Sequence, residues 1–149
     1  MPFIEYFENC ENCEIKLEKW YINGKLHRKY GPAYLEYFEN GQIKLEQWFQ
    51  NDKLYRNDGP AYLEYFENGQ IKLEQWFQRS DKLHRFFVNG KFTYNNKIYR
   101  NDPTYLEWFE NGQKKKEIWY LNGKLHRDRK DGPAYLEYFE NGQKKLEKW

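Results

Sequence analysis

The chain has 149 residues, and its composition narrows the classes of protein to which it can belong. Aromatic residues make up 21% of it, whereas disordered chains are poor in aromatics, so we expect an ordered fold. The net charge is only +2 because 25 basic side chains are interleaved with 23 acidic ones, and no basic face of the kind that binds nucleic acid is expected.

The first residues and the hydropathy pattern argue against export and membrane insertion. The segment 1–5 contains an acid and no apolar run, so it does not resemble a secretory signal. No stretch approaches the roughly 18 apolar residues of a membrane span. Two cysteines are too few for a disulfide framework. We therefore expect a cytoplasmic protein.

A tandem repeat organises the whole chain. The block Tyr-Phe-Glu-Asn begins at Tyr6, Tyr37, Tyr65 and Tyr138, and recurs as Trp-Phe-Glu-Asn at Trp108. The step from Tyr37 to Tyr65 is 28 residues, two other steps are 31 and 30 residues, and the step from Tyr65 to Trp108 is 28 plus a further 15, about half a unit. We divide the single domain, 1–149, into units at approximately 3–30, 31–58, 59–85 and 102–131, with a degenerate half-unit at 86–101 and a partial unit at 132–149.

The first unit departs from the repeat at Cys10 and Cys13, where other units carry an Asn-Gly turn. A CxxC pair can be a redox pair or half of a zinc site, so these cysteines are a weak metal candidate. A lone pair without a second one is more typical of a longer loop in the terminal, capping unit, and we favour that interpretation.

The second unit predicts three strands, 33–39, 42–50 and 53–56, joined at Asn40-Gly41 and Asn51-Asp52. Asn-Gly is the strongest short hairpin signal, since a type I′ turn needs a positive φ at both central positions. Repeated along the chain, the pattern predicts an all-β fold, an elongated and twisted antiparallel β-meander of tandem hairpin repeats in a single sheet. The half-unit repeats the second hairpin, with Asn95-Asn96 at its turn.

The same pattern predicts which side chains share a face of the sheet. In the expected register Phe38 lies opposite Ile43, Glu36 opposite Leu45, and Tyr34 opposite Gln47. We predict that the core lies on the face that carries Tyr34, Glu36, Phe38, Ile43, Leu45, Phe49, Leu54 and Arg56. The other face is expected to be wetter and carries Leu35, Tyr37, Lys44, Glu46, Trp48 and Tyr55.

Two charged positions recur in nearly every unit. They are occupied by Arg28, Arg56, Arg85, Arg100 and Arg127, and by Glu36, Glu64, Glu107 and Glu137. We expect a ladder of partly shielded Glu–Arg pairs on the core face, because a residue present in every copy belongs to the scaffold. The alternative is a row of identical sites that bind a repetitive ligand.

Catalytic patterns are scarce in this sequence. The histidines His27, His84 and His126 occupy one repeat position that Tyr55 and Tyr99 fill elsewhere, so metal binding or proton transfer there is not expected. The chain has no Gly-rich phosphate loop, HExxH or GxSxG pattern, and its one serine is Ser80. We expect neither catalysis nor a cofactor.

The sequence resembles the variant MORN-type repeats over residues 3–149. The motifs that carry this resemblance are Glu-Asn-Gly-Gln-x-Lys-x-Glu-x-Trp, Asn-Gly-Lys-Leu-His-Arg and Asp-Gly-Pro-Ala-Tyr. Such repeats occur in bacterial antitoxin-component-like proteins and in giant DNA viruses of amoebae. The motifs of this chain look most similar to those of the viral repeats. The resemblance implies an elongated sheet that mediates protein association, in the host cytoplasm or the virion if the chain is viral. The unit is longer than a usual MORN unit and lacks its closely spaced glycines, so no lipid-binding residue is carried over.

The leading functional hypothesis is a repeat scaffold for protein–protein interaction or structural assembly. Its candidate contact residues form an aromatic stripe of Trp20, Trp48, Trp76, Trp119, Tyr37, Tyr65 and Tyr138. One alternative is self-association, because the unit that ends at Trp149 is expected to leave an open sheet edge. The other is binding to a membrane surface or anionic lipid.

Overall fold

The computed structural model describes residues 1–8, 14–77, 102–121 and 123–149, together with the backbone of 92–94 and 97–99. The strands of the described residues are numbered β1 to β18 in chain order. Ten of them build the main sheet: β1 Phe3–Tyr6, β2 Ile15–Lys19, β5 Tyr34–Tyr37, β6 Ile43–Gln47, β9 Tyr62–Tyr65, β10 Ile71–Gln75, β13 Tyr105–Trp108, β14 Lys114–Ile118, β17 Tyr135–Tyr138 and β18 Lys144–Lys148.

The other eight strands form four two-stranded sheets, which we call the short hairpins. They are β3 Tyr21–Ile22 with β4 Lys25–Leu26, β7 Phe49–Gln50 with β8 Lys53–Leu54, β11 Phe92–Tyr94 with β12 Lys97–Tyr99, and β15 Tyr120–Leu121 with β16 Lys124–Leu125. The described residues also include a 3₁₀ turn at Arg129–Asp131. The β11–β12 pairing is the hairpin expected in the half-unit.

The main sheet is an antiparallel meander in which each strand pairs with the next one in the order β1-β2-β5-β6-β9-β10-β13-β14-β17-β18. Each unit contributes one long hairpin to this sheet, and antiparallel neighbours need only short connections. The predicted all-β meander of tandem hairpins is therefore confirmed.

The second predicted strand of a unit is divided in two in the structure. In the second unit the main-sheet strand ends at Gln47, and the chain enters the β7–β8 hairpin after Trp48. The Trp48 amide donates to the carbonyl of Ala61, just before β9, while its own carbonyl accepts from the amide of Tyr55, just after β8. Trp48 therefore marks the point where the chain leaves the main sheet.

The predicted register is confirmed for Glu36 opposite Leu45 and for Tyr34 opposite Gln47. The pairing of Phe38 with Ile43 was wrong, because Ile43 lies opposite Tyr37 and Lys44 is an extra residue in a β-bulge. Every main-sheet hairpin shifts register at the same place. A strictly period-two interpretation of the sequence cannot anticipate a residue that pairs with nothing.

The predicted core face was also wrong. The recurring buried side chains are Leu35, Leu63, Leu106 and Leu136, which lie on the face that was expected to be wet. We call this side the leucine face, and the side that carries Tyr34 and Glu36 the tyrosine face. No large side chain of the described part is less than 2% exposed, so the core on either side is thin.

The turns fall into two classes, which corrects the single type I′ class that was predicted. Asn51 and Asp52 have φ of 53° and 64°, and Asn23 and Gly24 have 51° and 75°, as type I′ requires. At Asn40-Gly41 only Gly41 has a positive φ, 80°, and the Asn40 side chain accepts the Gln42 amide. The same arrangement recurs at Asn68, Asn111 and Asn141.

Candidate binding surface

The tyrosine face carries one arrangement of three side chains four times. A tyrosine, the glutamate two residues later and the lysine eight residues after that glutamate form what we call a triad. The triads are Tyr34–Glu36–Lys44, Tyr62–Glu64–Lys72, Tyr105–Glu107–Lys115 and Tyr135–Glu137–Lys145.

Local geometry explains why each triad closes. Residues i and i+2 of a strand share a face, so the Tyr34 hydroxyl donates to the Glu36 carboxylate, at 2.5 Å. The bulge places the ammonium of Lys44 on the same carboxylate, at 3.7 Å. The corresponding lysine–glutamate distances are 3.4 Å for Lys72, 2.6 Å for Lys115 and 2.8 Å for Lys145.

The triads combine three polar groups, and their surroundings shift the pKa of several of them. Burial, followed by the hydrogen bond to Glu36, raises the pKa of Tyr34 to about 12. Burial and the adjacent glutamate also raise the pKa of Tyr62 and of Tyr105. The hydrogen bond from Lys145 lowers the pKa of Glu137. The raised pKa values keep these tyrosine hydroxyls protonated and able to donate at neutral pH.

Two neighbouring triads border a groove of about 490 Å³. Its lining includes the carboxylates of Glu36 and Glu64 and the ammonium groups of Lys44 and Lys72, with apolar surface from Leu45. The lysine side chains are about half exposed, at 53% for Lys44 and 46% for Lys72. The groove therefore offers both charges and an apolar contact to solvent.

On the leucine face the structure brings the predicted aromatic stripe together. Glu18 accepts hydrogen bonds from the Trp20 indole, at 3.4 Å, and from the Tyr37 hydroxyl of the next unit, at 2.8 Å. The guanidinium of Arg28 lies over the Trp20 ring at 4.0 Å from its centroid. Trp and Tyr of successive units thus share one glutamate.

The other units repeat this cluster with small differences. Tyr65 hydrogen-bonds to Glu46 and Tyr138 to Glu117, and Trp76 donates to Glu74. Trp119 is only 7% exposed, whereas the remaining stripe residues, Trp20, Trp48, Trp76, Tyr37, Tyr65 and Tyr138, are half-buried. Their indoles and phenols make internal contacts, and a role of the stripe in binding a partner stays a prediction.

The expected Glu–Arg ladder was wrong for the described arginines. Arg28, Arg56 and Arg127 stack on Trp20, Trp48 and Trp119 of the leucine face, at 3.8 to 4.0 Å from the ring centroids. Glu36 and its equivalents lie on the opposite face, with tyrosine and lysine as partners. The sequence placed both charges on one face because it missed the break at tryptophan, after which the chain leaves the main sheet. Arg85 and Arg100 lie outside the described residues.

The remaining candidate site residues are the histidines and the two cysteines. His27 contacts the Asn51 side chain of the next short hairpin at 3.1 Å, while His84, Cys10 and Cys13 lie outside the described residues. Among the residues that the structure describes, no group of three or more His, Cys, Asp or Glu side chains could hold a metal ion. No helix in this part of the chain has the length and apolar character needed to cross a membrane.

Comparison with known proteins adds no identification, because no protein-family model, curated protein or solved structure matches the chain.

Sequence reasoning did not single out the triads, although a signal was present. The pattern Tyr-x-Glu followed eight residues later by Lys occurs at six places in the sequence, and the four that begin at Tyr34, Tyr62, Tyr105 and Tyr135 form the triads. Only the bulge shows that this lysine, which an unbroken strand would turn to the other face, reaches the glutamate.

Proposed function

We propose that this chain is a non-enzymatic repeat scaffold that binds a protein partner through the triads of its tyrosine face. The observation that carries the proposal is the recurrence of one partly exposed donor–acceptor set on four successive long hairpins of one sheet. A catalytic group is needed once, whereas a contact surface gains from repetition because neighbouring contacts add along an extended partner.

The spacing of the triads suits an extended protein segment. Successive triads on adjacent hairpins are two strands apart, which corresponds to about 10 Å along the hydrogen-bonding direction of a sheet. Leucines alternate with the glutamates across the strands, as in the row Leu17, Glu36, Leu45, Glu64 and Leu73. A partner with alternating apolar and charged side chains would match both the spacing and the alternation.

The ion pairs of the triads can be exchanged at little cost, because their lysines are about half exposed. Surface lysine–glutamate pairs contribute about 0–1 kcal/mol each, so a partner's charges can replace one member without a large penalty. On the leucine face, by contrast, a partner would have to displace buried or half-buried arginine–tryptophan stacks. The tyrosine face is therefore the favoured contact surface. The resemblance to variant MORN-type repeats suggests the same class of function.

The test is quantitative affinity capture from the cells that produce the protein, with two double variants of equal charge. Lys44→Gln with Lys72→Gln removes two ammonium groups from the groove, while Lys25→Gln with Lys124→Gln removes two exposed ones from the short hairpins. We expect the unsubstituted chain and the Lys25→Gln, Lys124→Gln control to capture a stoichiometric protein partner. The amount captured by the Lys44→Gln, Lys72→Gln variant should be at least tenfold lower. Equal recovery with both variants would contradict the assignment to the tyrosine face.

A further inference from the structure

The two outer edges of the main sheet, β1 and β18, carry apolar side chains that are more exposed than those at the equivalent internal repeat positions. Phe3 is 53% exposed and Tyr6 50% on β1, while Leu146 is 41% exposed on β18 and Trp149, just beyond it, 65%. At the internal position equivalent to Leu146, Leu17 is only 8% exposed, because a second strand flanks it. All five residues of β18 are exposed.

We propose that these edges bind each other, so that β18 of one copy pairs antiparallel with β1 of a second copy and continues the meander head to tail. The chain itself contains the template for this junction four times, where β2, β6, β10 and β14 pair with β5, β9, β13 and β17. β18 repeats the sequence of β2, with Leu-Glu-Lys at 146–148 matching 17–19, and Phe-Ile-Glu of β1 matches Tyr-Leu-Glu of β5.

The internal register predicts the pairs across the junction. Inside the chain Leu17, Glu18 and Lys19 lie opposite Glu36, Leu35 and Tyr34. By the same register Leu146, Glu147 and Lys148 would lie opposite Glu5, Ile4 and Phe3 of the second copy. No like charges meet in these pairs, and opposed side chains are the unit of stability in a sheet.

The alternating rows on both faces would continue through the junction without interruption. On the tyrosine face Glu137 and Leu146 would be followed by Glu5 and Leu17, and on the leucine face Leu136 and Glu147 by Ile4 and Glu18.

A cation–π arrangement would continue as well. Lys19 lies 6.0 Å from the centroid of the Phe3 ring and 5.4 Å from that of Tyr34. Lys148 already lies 5.1 Å from the Tyr135 centroid, and the Phe3 ring of the second copy would occupy its open side.

Pro2 is compatible with this junction. It occupies the repeat position of Ala33, whose carbonyl accepts the Trp20 amide of the preceding strand. The equivalent bond would run from the Trp149 amide to the Pro2 carbonyl, which needs no donor from the proline. The Ala33 amide, which proline lacks, donates to Gln47 within its own hairpin and not towards the preceding strand.

The inference is tested by engineered disulfides together with the mass of the unsubstituted chain. In a background with Cys10→Ser and Cys13→Ser, Ile4→Cys with Glu147→Cys places two thiols opposite each other across the junction, within the distance that a disulfide spans. The control, Glu5→Cys with Glu147→Cys, is one residue out of register, which puts the thiols on opposite faces. Sedimentation velocity then follows the unsubstituted chain over rising concentration.

We expect the mass of the unsubstituted chain to increase with concentration. Oxidation of the in-register pair should give a ladder of covalent multimers, in at least tenfold larger amount than oxidation of the control pair. A chain that stays monomeric at its highest soluble concentration would overturn the inference. So would equal cross-linking of both pairs, or a disulfide formed within one chain. The inference does not rest on the proposed function, because Lys44→Gln with Lys72→Gln changes the tyrosine face and should leave self-association intact.

Discussion

On the leucine face a single glutamate per long hairpin organises the aromatic side chains around it. Glu18 accepts from Trp20 and Tyr37, and the Arg28 guanidinium covers the indole of Trp20. The second unit repeats the stack, with Arg56 at 3.9 Å from the Trp48 ring, but the Trp48 indole N–H is buried without a hydrogen-bond partner among the described residues. The two tryptophans therefore differ in one hydrogen bond.

This difference predicts unequal costs for the same substitution. Trp20→Phe removes a hydrogen bond to a carboxylate, whereas Trp48→Phe removes an unpaired buried N–H and leaves no acceptor unsatisfied. We expect Trp20→Phe to lower the free energy of unfolding by about 1 kcal/mol more than Trp48→Phe does. Urea unfolding of the two variants measures this directly. Equal losses would show that the indole N–H of Trp20 contributes nothing.

The tyrosines predict a loss of stability in alkaline solution. Burial, and then the hydrogen bond to Glu18, raises the pKa of Tyr37 to about 12, and similar causes raise that of Tyr138 to about 12. In the unfolded chain a tyrosine ionises near pH 10, so the folded state binds more protons between pH 10 and 12. Stability should be complete below pH 10 and fall through this window.

The measurement is the free energy of unfolding in urea at pH 9, 10 and 11. We expect a progressive decrease above pH 10, with a smaller slope in Tyr37→Phe, which has one fewer raised pKa. A flat profile across this range would contradict the assigned shifts.

At the scale of the element, the glycine of each Gly-Pro dipeptide makes room for the arginine stack. A Cβ built on Gly59 would lie 2.8 Å from the Arg56 guanidinium carbon, and one on Gly31 3.1 Å from that of Arg28. The loop that leads into β9 therefore approaches the guanidinium closely, and the arginine is held between that loop and the indole of Trp48. At Gly59 the lack of a side chain is therefore needed to leave space for the Arg56 guanidinium.

Gly59→Ala should accordingly displace Arg56 from Trp48. Since the guanidinium is the end of a flexible side chain, we expect it to move at a cost of about 1 kcal/mol, the size of a partly exposed cation–π contact. In an Arg56→Ala background the same substitution should cost clearly less, because nothing remains to be displaced. A double-mutant cycle from urea unfolding measures the coupling. A coupling energy of zero would contradict the steric account.

The elements themselves were largely predictable, because hairpins depend on local signals. Asn51-Asp52 and Asn40-Gly41 both mark turns, and the register of Glu36 opposite Leu45 follows from counting outward from the turn. The bulge at Lys44 was not predictable, since an extra residue leaves no mark in an alternating sequence. The buried face was missed for a related reason. In the second unit the face predicted to be the core carries more apolar residues than the leucine face, and the alternation does not show that Arg56 returns to stack on Trp48.

At the scale of the whole molecule, the repeat produces a sheet whose two faces differ in chemistry. On the leucine face the aromatic side chains make internal contacts. The tyrosine face instead carries partly exposed triads at a regular spacing. The sequence predicted the repeat and the meander. It could not assign the triads, because Lys44 and Glu36 come together only through the bulge.

The most direct test of the account is site-specific photocrosslinking in the cells that produce the protein. Benzoylphenylalanine would replace Phe38 or Phe66, which line the groove without belonging to a triad, and, in separate controls, Lys25 or Lys124 on the short hairpins. We expect one protein partner to crosslink from positions 38 and 66 and not from positions 25 and 124. Crosslinks from the short hairpins alone, or none from the tyrosine face, would contradict the claim that the triads form the binding surface.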